Sequence, residues 1–144
     1  MFSTNSSSIK TRISAHLSDA APIEGEMTSL EGWLTFYDEE KKIWKPLKGK
    51  ISVFLNGIKV GECESNELGA FSFSFKAPSI GKHKIDLKYS GYENYESSHR
   101  SLEIQTLSGI EKRRILKIAK VALFLIFILI IISLITIYLI KILY

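Results

Sequence analysis

Ile51-Ser52-Val53-Phe54-Leu55-Asn56-Gly57-Ile58-Lys59-Val60-Gly61-Glu62 is the stretch on which the fold turns. Two runs rich in branched and aromatic residues flank an Asn-Gly pair. A two-residue type I′ turn requires positive φ at both central positions, which Asn and Gly tolerate best. Folding the chain there pairs Leu55 with Ile58 and Val53 with Val60, so the apolar side chains share one face. Turn chemistry and register agree on a β-hairpin, and a hairpin with one apolar face needs further strands to cover it.

Those strands can be read on either side. Upstream, Ile13, Ala15 and Leu17 alternate with polar neighbours, and Leu30, Leu34 and Phe36 share a face of the next run. Downstream, Phe71, Phe73 and Phe75 alternate with Ser72, Ser74 and Lys76. Ile85, Leu87 and Tyr89 alternate with Lys84, Asp86 and Lys88, and Leu102, Ile104 and Thr106 close the series. A period of two is that of half-buried strands. The spacing predicts seven strands, near 12–18, 29–38, 50–55, 58–64, 70–76, 82–89 and 100–106. Asp38 to Lys48 is expected to be a charged loop carrying Ile43, Trp44 and Pro46. The expected fold class is all-β, a seven-stranded antiparallel β-sandwich over residues 12–107.

Period two ends near residue 108. From Val121 to Ile140 the chain runs for twenty residues without a formal charge, interrupted only by Ser133, Thr136 and Tyr138 among polar types. As a helix these residues span about 30 Å, the thickness of a bilayer's hydrocarbon core. Residues 121–140 are therefore expected to be a single transmembrane helix, 108–120 a basic juxtamembrane stalk, either separate or the first turns of the same helix, and 141–144 a short tail. The first eleven residues, rich in Ser and Thr, are expected to be a disordered tail with no secretory signal. Together these readings suggest a tail-anchored single-pass protein.

Charge is divided along the chain. Residues 1–110 hold 13 Lys/Arg against 14 Asp/Glu, while residues 111–144 hold six against one. The excess lies beside the span, at Lys112, Arg113, Arg114, Lys117 and Lys120, a pattern suited to anionic lipid headgroups rather than to nucleic acid. Lys/Arg excess marks the cytoplasmic flank of a span, which places the β domain in the cytoplasm. Exposure outside the cell is the alternative.

Several short motifs carry a family likeness. Pro46-Leu47-Lys48-Gly49-Lys50-Ile51-Ser52-Val53-Phe54-Leu55-Asn56-Gly57, Gly69-Ala70-Phe71-Ser72-Phe73, Gly81-Lys82-His83-Lys84-Ile85 and the run from Tyr89 to Ser98 resemble prokaryotic (bacterial and archaeal) immunoglobulin-like domains. The likeness covers roughly residues 12–107. It implies an immunoglobulin-like sandwich, a strand-start role for His83, and a place in surface or membrane proteins.

Reactive constellations are scarce. His16, His83 and His99 lie on different expected elements without the closely spaced partner ligands of a zinc site. The single cysteine, Cys63, sits between Glu62 and Glu64, which raise rather than lower a thiol pKa. Asp38, Glu39 and Glu40 are followed by Lys41 and Lys42, which suits self-neutralising loop charge better than calcium. No cofactor, metal, nucleic acid or small-molecule substrate is expected, and no catalysis. Aromatic side chains are the better candidates for contact. Trp33 is expected to be core of the second face, whereas Trp44 and Tyr92, both in expected loops, are candidate partner contacts. The expected function is a membrane-anchored immunoglobulin-like module that binds a protein partner or serves structurally. The alternative is an accessory subunit of a larger membrane complex, packed through its helix.

Overall fold

The computed structural model describes residues 8–143. The chain divides into two compact units, one ending at Leu107 and one beginning at Ser108.

In chain order the first unit contains β1 (Thr11–Leu17), β2 (Met27–Asp38), β3 (Ile43–Pro46), β4 (Lys50–Leu55), β5 (Ile58–Glu64), β6 (Ala70–Lys76), β7 (Gly81–Tyr89) and β8 (Ser98–Thr106). They form two four-stranded antiparallel sheets. In the first, β2 pairs β1 along one edge, and along the other pairs β6 and then β3. The second has the order β5-β4-β7-β8. A single hydrophobic cluster draws on both: Ile13, Leu30, Leu34 and Phe71 from the first sheet, Ile51, Val53, Ile85, Leu87, Tyr89 and Ile104 from the second. These are the residues that the period of two places on inward faces.

The hairpin forms as its turn chemistry requires. Asn56 has φ 50° and Gly57 φ 83°, and Leu55 pairs with Ile58. Its register then departs from expectation, because Val53 pairs with Gly61 and not with Val60. A bulge between Val53 and Phe54 takes up the difference, leaving Val60 45% exposed. The reason lies across the core: a Cβ on residue 61 would fall 2.6 Å from the Phe73 ring. Glycine leaves room for the Cε2–Cζ edge of that ring, so residue 61 stands inward opposite Val53 and the register shifts.

Two further expectations are corrected. The segment read as a loop from Asp38 to Lys48 contains β3, whose four residues pair with the end of β2. Of the expected tail, residues 1–7 lie outside the described residues, but Ile9 bridges Tyr95 and Thr11 already opens β1. Of the two readings of the stalk, the helical one holds. One helix, α1 (Gly109–Leu143), runs through the stalk, the apolar run and into the expected C-terminal tail.

This helix starts with a reciprocal cap. The Glu111 amide donates to Ser108 Oγ at 3.2 Å and the Ser108 amide to a Glu111 carboxylate oxygen at 2.8 Å, which satisfies two of the donors a helix start leaves free. None of its residues is buried, and its most apolar 18 residues have a mean hydropathy of 3.2. It is a candidate membrane span by length and composition. Thr136 returns its hydroxyl to the Ile132 carbonyl at 2.8 Å, as hydroxyl side chains do in apolar helices.

Candidate protein-contact surface

The strand directions give the first unit two ends. Gly81 pairs with Thr106 and Ile23 bridges Leu107, so the chain leaves the domain at the end that holds the Asn56–Gly57 turn. His83 fastens that end. Its Nδ1 accepts from Asn56 Nδ2 at 2.8 Å and its Nε2–H donates to the Ser79 carbonyl at 2.6 Å. The opposite end holds the turn after Asp38, the 90–97 segment and the start of β1.

Trp44 and Tyr92 both lie toward that opposite end. Trp44 pairs with Tyr37 across β2 and β3, their rings 5.3 Å apart, and is 39% exposed. The Arg12 guanidinium lies over the Trp44 ring, 4.2 Å from its centroid, a cation–π contact. Asp38 organises the neighbouring turn. It pairs with Lys45, and its Oδ1 accepts from the amides of Glu40 and Lys41, each at 3.1 Å. The Lys45 contact, followed by the Lys41 amide, holds the Asp38 carboxyl below the usual carboxylate range. The Asp38 charge is thus neutralised from β3.

Tyr92 is 69% exposed on a tight turn closed by the Tyr95 amide donating to its carbonyl at 2.9 Å. That turn is pinned. Tyr95 meets Phe36 edge-on with centroids 5.4 Å apart, and the Ile9 amide donates to the Asn94 carbonyl at 2.7 Å. Of the three tyrosines in this region, Tyr89 is core and Tyr95 is the anchor; Tyr92 is the one presented to solvent. A rigidly held, exposed aromatic ring contributes contact area at little entropic cost. Trp44 and Tyr92 come from different sheets and share an end, and no ring contact joins them among the described residues.

Trp33 is placed otherwise than expected. It stands on the outward face of the first sheet, 47% exposed, stacked on His16 with centroids 6.1 Å apart and planes 26° from parallel. Alternation with buried Leu34 had already put it on that face. Among the described residues no second layer packs on that face, and His16 is the one ring stacked on it.

Cys63 lies on the inward side of β5, packed against the core. Burial pushes its thiol up to about 11. The direction matches the sequence reading, but the cause is the apolar surroundings and not the flanking carboxylates.

The basic residues belong to the second unit. Arg113, Arg114, Lys117 and Lys120 are exposed on α1 and Lys112 is partly so. At 100° per residue, Arg113, Lys117 and Lys120 fall within an arc of about 60° and make one cationic stripe.

These features define a domain of two antiparallel β-sheets followed by an apolar helix able to span a membrane. The chain is 48% identical over 116 residues to an uncharacterized protein of the archaeon Archaeoglobus fulgidus, an alignment covering 80% of each, and it belongs to the same family. No family model matches it. Among solved structures it is similar to the PKD domain of the human VPS10 domain-containing receptor SorCS2, at 16% identity and a TM-score of 0.44, covering 69% of this chain and 74% of that one. A β-glucosidase from Listeria innocua gives 12% identity and a TM-score of 0.34, over 67% of this chain and 16% of that one.

Proposed function

We propose that the protein is a non-catalytic, membrane-anchored, immunoglobulin-like β-sandwich that binds a protein partner through the end of the domain bearing Trp44 and Tyr92. The strand order supports the sandwich reading. With β1, β2 and β6 as strands A, B and E, and β5-β4-β7-β8 as C′-C-F-G, the two sheets follow the immunoglobulin arrangement. The observation that carries the binding role is the exposure of both rings at the end opposite Leu107, where the chain departs toward its candidate span.

The test is a photo-crosslinking residue introduced at Tyr92, at Trp44 and, as a control, at exposed Ser74 of β6 in the full chain in cells. Discrete adducts from positions 92 and 44, with none from 74, are expected. Equal adducts from all three positions, or none, would overturn the reading.

The basic stripe of α1 is proposed to meet anionic lipid and to keep the β domain on the cytoplasmic side. Chains with Cys63→Ser and a single new cysteine at Ser3 or at Tyr144 report orientation. A membrane-impermeant thiol reagent added to intact cells should label the second and spare the first. Replacing Lys112, Arg113, Arg114, Lys117 and Lys120 by Gln should erase that bias. Labelling at Ser3 in the unaltered background would put the domain outside.

A further inference from the structure

The outward face of the first sheet holds two tryptophans in unlike states. Trp44 is capped by the guanidinium of Arg12. Trp33 has His16 stacked on one side, and among the described residues no guanidinium or ammonium group lies over it. On its other side the cross-strand neighbour is only Ala70, and next to it a groove of about 380 Å³ opens. Trp33 forms its wall. Ala70 and Ser72 are its small residues, and Glu31, Glu64 and Asn66 its polar ones. Asn66 is held in place by accepting from the amides of Leu68 at 2.9 Å and Ala70 at 3.0 Å. Neither lysine nor arginine lines the groove.

We infer that this groove takes an arginine side chain from the protein partner, its guanidinium stacked on Trp33 and hydrogen-bonded by Glu31 and Glu64. An indole face attracts a planar cation through its quadrupole, and carboxylates receive guanidinium in paired hydrogen bonds. Among the described residues Glu31 has only the His16 imidazole within ion-pair distance, at 3.8 Å, and Glu64 has no cation there, which leaves the groove the complementary charge. The domain makes the same stack within itself, at Arg12 and Trp44. An uncharged sugar ring would also stack on an indole, but it brings neither carboxylate a counter-charge. The inference rests on the protein-binding reading and adds the chemistry of one contact to it, on a different face.

The experiment uses the full chain in detergent micelles with Trp44→Phe, so that Trp33 is the sole indole. N-acetyl-arginine methylamide is titrated against its emission, beside the uncharged citrulline counterpart and a neutral disaccharide. A saturable change with the arginine compound is expected, weakening as salt is added. The citrulline compound should bind about tenfold or more weakly, as should the arginine compound to Glu31→Gln/Glu64→Gln, charge-assisted bonds being roughly twice as strong as neutral ones. Ala70→Leu, which fills the groove without altering charge, should abolish the response. No saturable change, an equal response to citrulline or to the disaccharide, or full binding by the double Gln chain would overturn the inference. Crosslinking at Tyr92 does not pass through this groove, so either result can fail while the other stands.

Discussion

Gly61→Ala tests whether the bulge in the central hairpin is set by the ring across the core. The new methyl would sit 2.6 Å from Cε2 and Cζ of Phe73, about 1 Å inside the ordinary carbon–carbon contact distance of 3.5–4.0 Å. Gly61 is not at positive φ, so the backbone adds no strain and the cost is the displacement of a half-buried ring. Overpacking of this kind costs about 1–3 kcal/mol, offset by roughly 0.5 kcal/mol because Ala restricts the unfolded chain. The net loss of about 0.5–2.5 kcal/mol should lower Tm by about 2–20 °C for a domain of this size. The melt is followed by tryptophan emission of the full chain in micelles. The decisive step is the same substitution with Phe73→Leu, where the smaller side chain leaves the methyl room and the penalty should vanish. An unchanged Tm for Gly61→Ala alone, or an equal penalty in both backgrounds, would refute the account of the bulge.

Three other outcomes are expected. Gly57→Val should lower stability by about 1–2 kcal/mol through left-handed strain alone, since nothing lies within 4 Å of the new Cβ; Gly57→Asn, measured in the same melt, should cost far less. The Cys63 thiol, raised from 9.0 to about 11 by burial, should alkylate about a hundredfold more slowly at neutral pH than in the denatured chain, because the thiolate is the reacting form. Iodoacetamide labelling followed by mass measurement reads this directly. Asp38, whose carboxyl is held low chiefly by Lys45, contributes stability above the unfolded carboxylate range and loses it as pH falls through its folded pKa. Asp38→Asn should therefore lower Tm at pH 7 and leave it unchanged in strong acid.

What could be read from the sequence was what local chemistry decides. Asn56-Gly57 specified its turn because few residue pairs accept two positive φ angles, and Leu30, Leu34, Ile85, Leu87 and Ile104 were placed inward by alternation alone. The register beyond Leu55 was not legible, because it depends on Phe73, a residue from another strand, meeting Gly61 across the core. β3 was hidden for a different reason: four residues ending in Pro46 and flanked by charges carry no periodicity to detect. Trp33 shows the limit of alternation, which gives the face of a strand but not what lies beyond that face. Exposure of Tyr92 rather than Tyr89 or Tyr95 came from the pinning of its turn by Ile9, a contact over 80 residues away in the chain.

The long strand β2 has a consequence if the candidate span of α1 holds the protein in a membrane. Its twelve residues would present about 40 Å of ladder if one side were left bare. Instead, one side is covered by two short strands placed end to end, β6 and β3, which part company at Leu34: its amide donates to the Gly69 carbonyl at 2.8 Å, and its carbonyl accepts from the Leu47 amide at 3.0 Å. The rim that neighbours would meet is thus broken into pieces of seven and four residues, the shorter closed by Pro46, which has no amide hydrogen to offer. Confinement to a plane raises the frequency with which copies collide side by side. A segmented rim gives such collisions no continuous template to zip along on this side of the sheet.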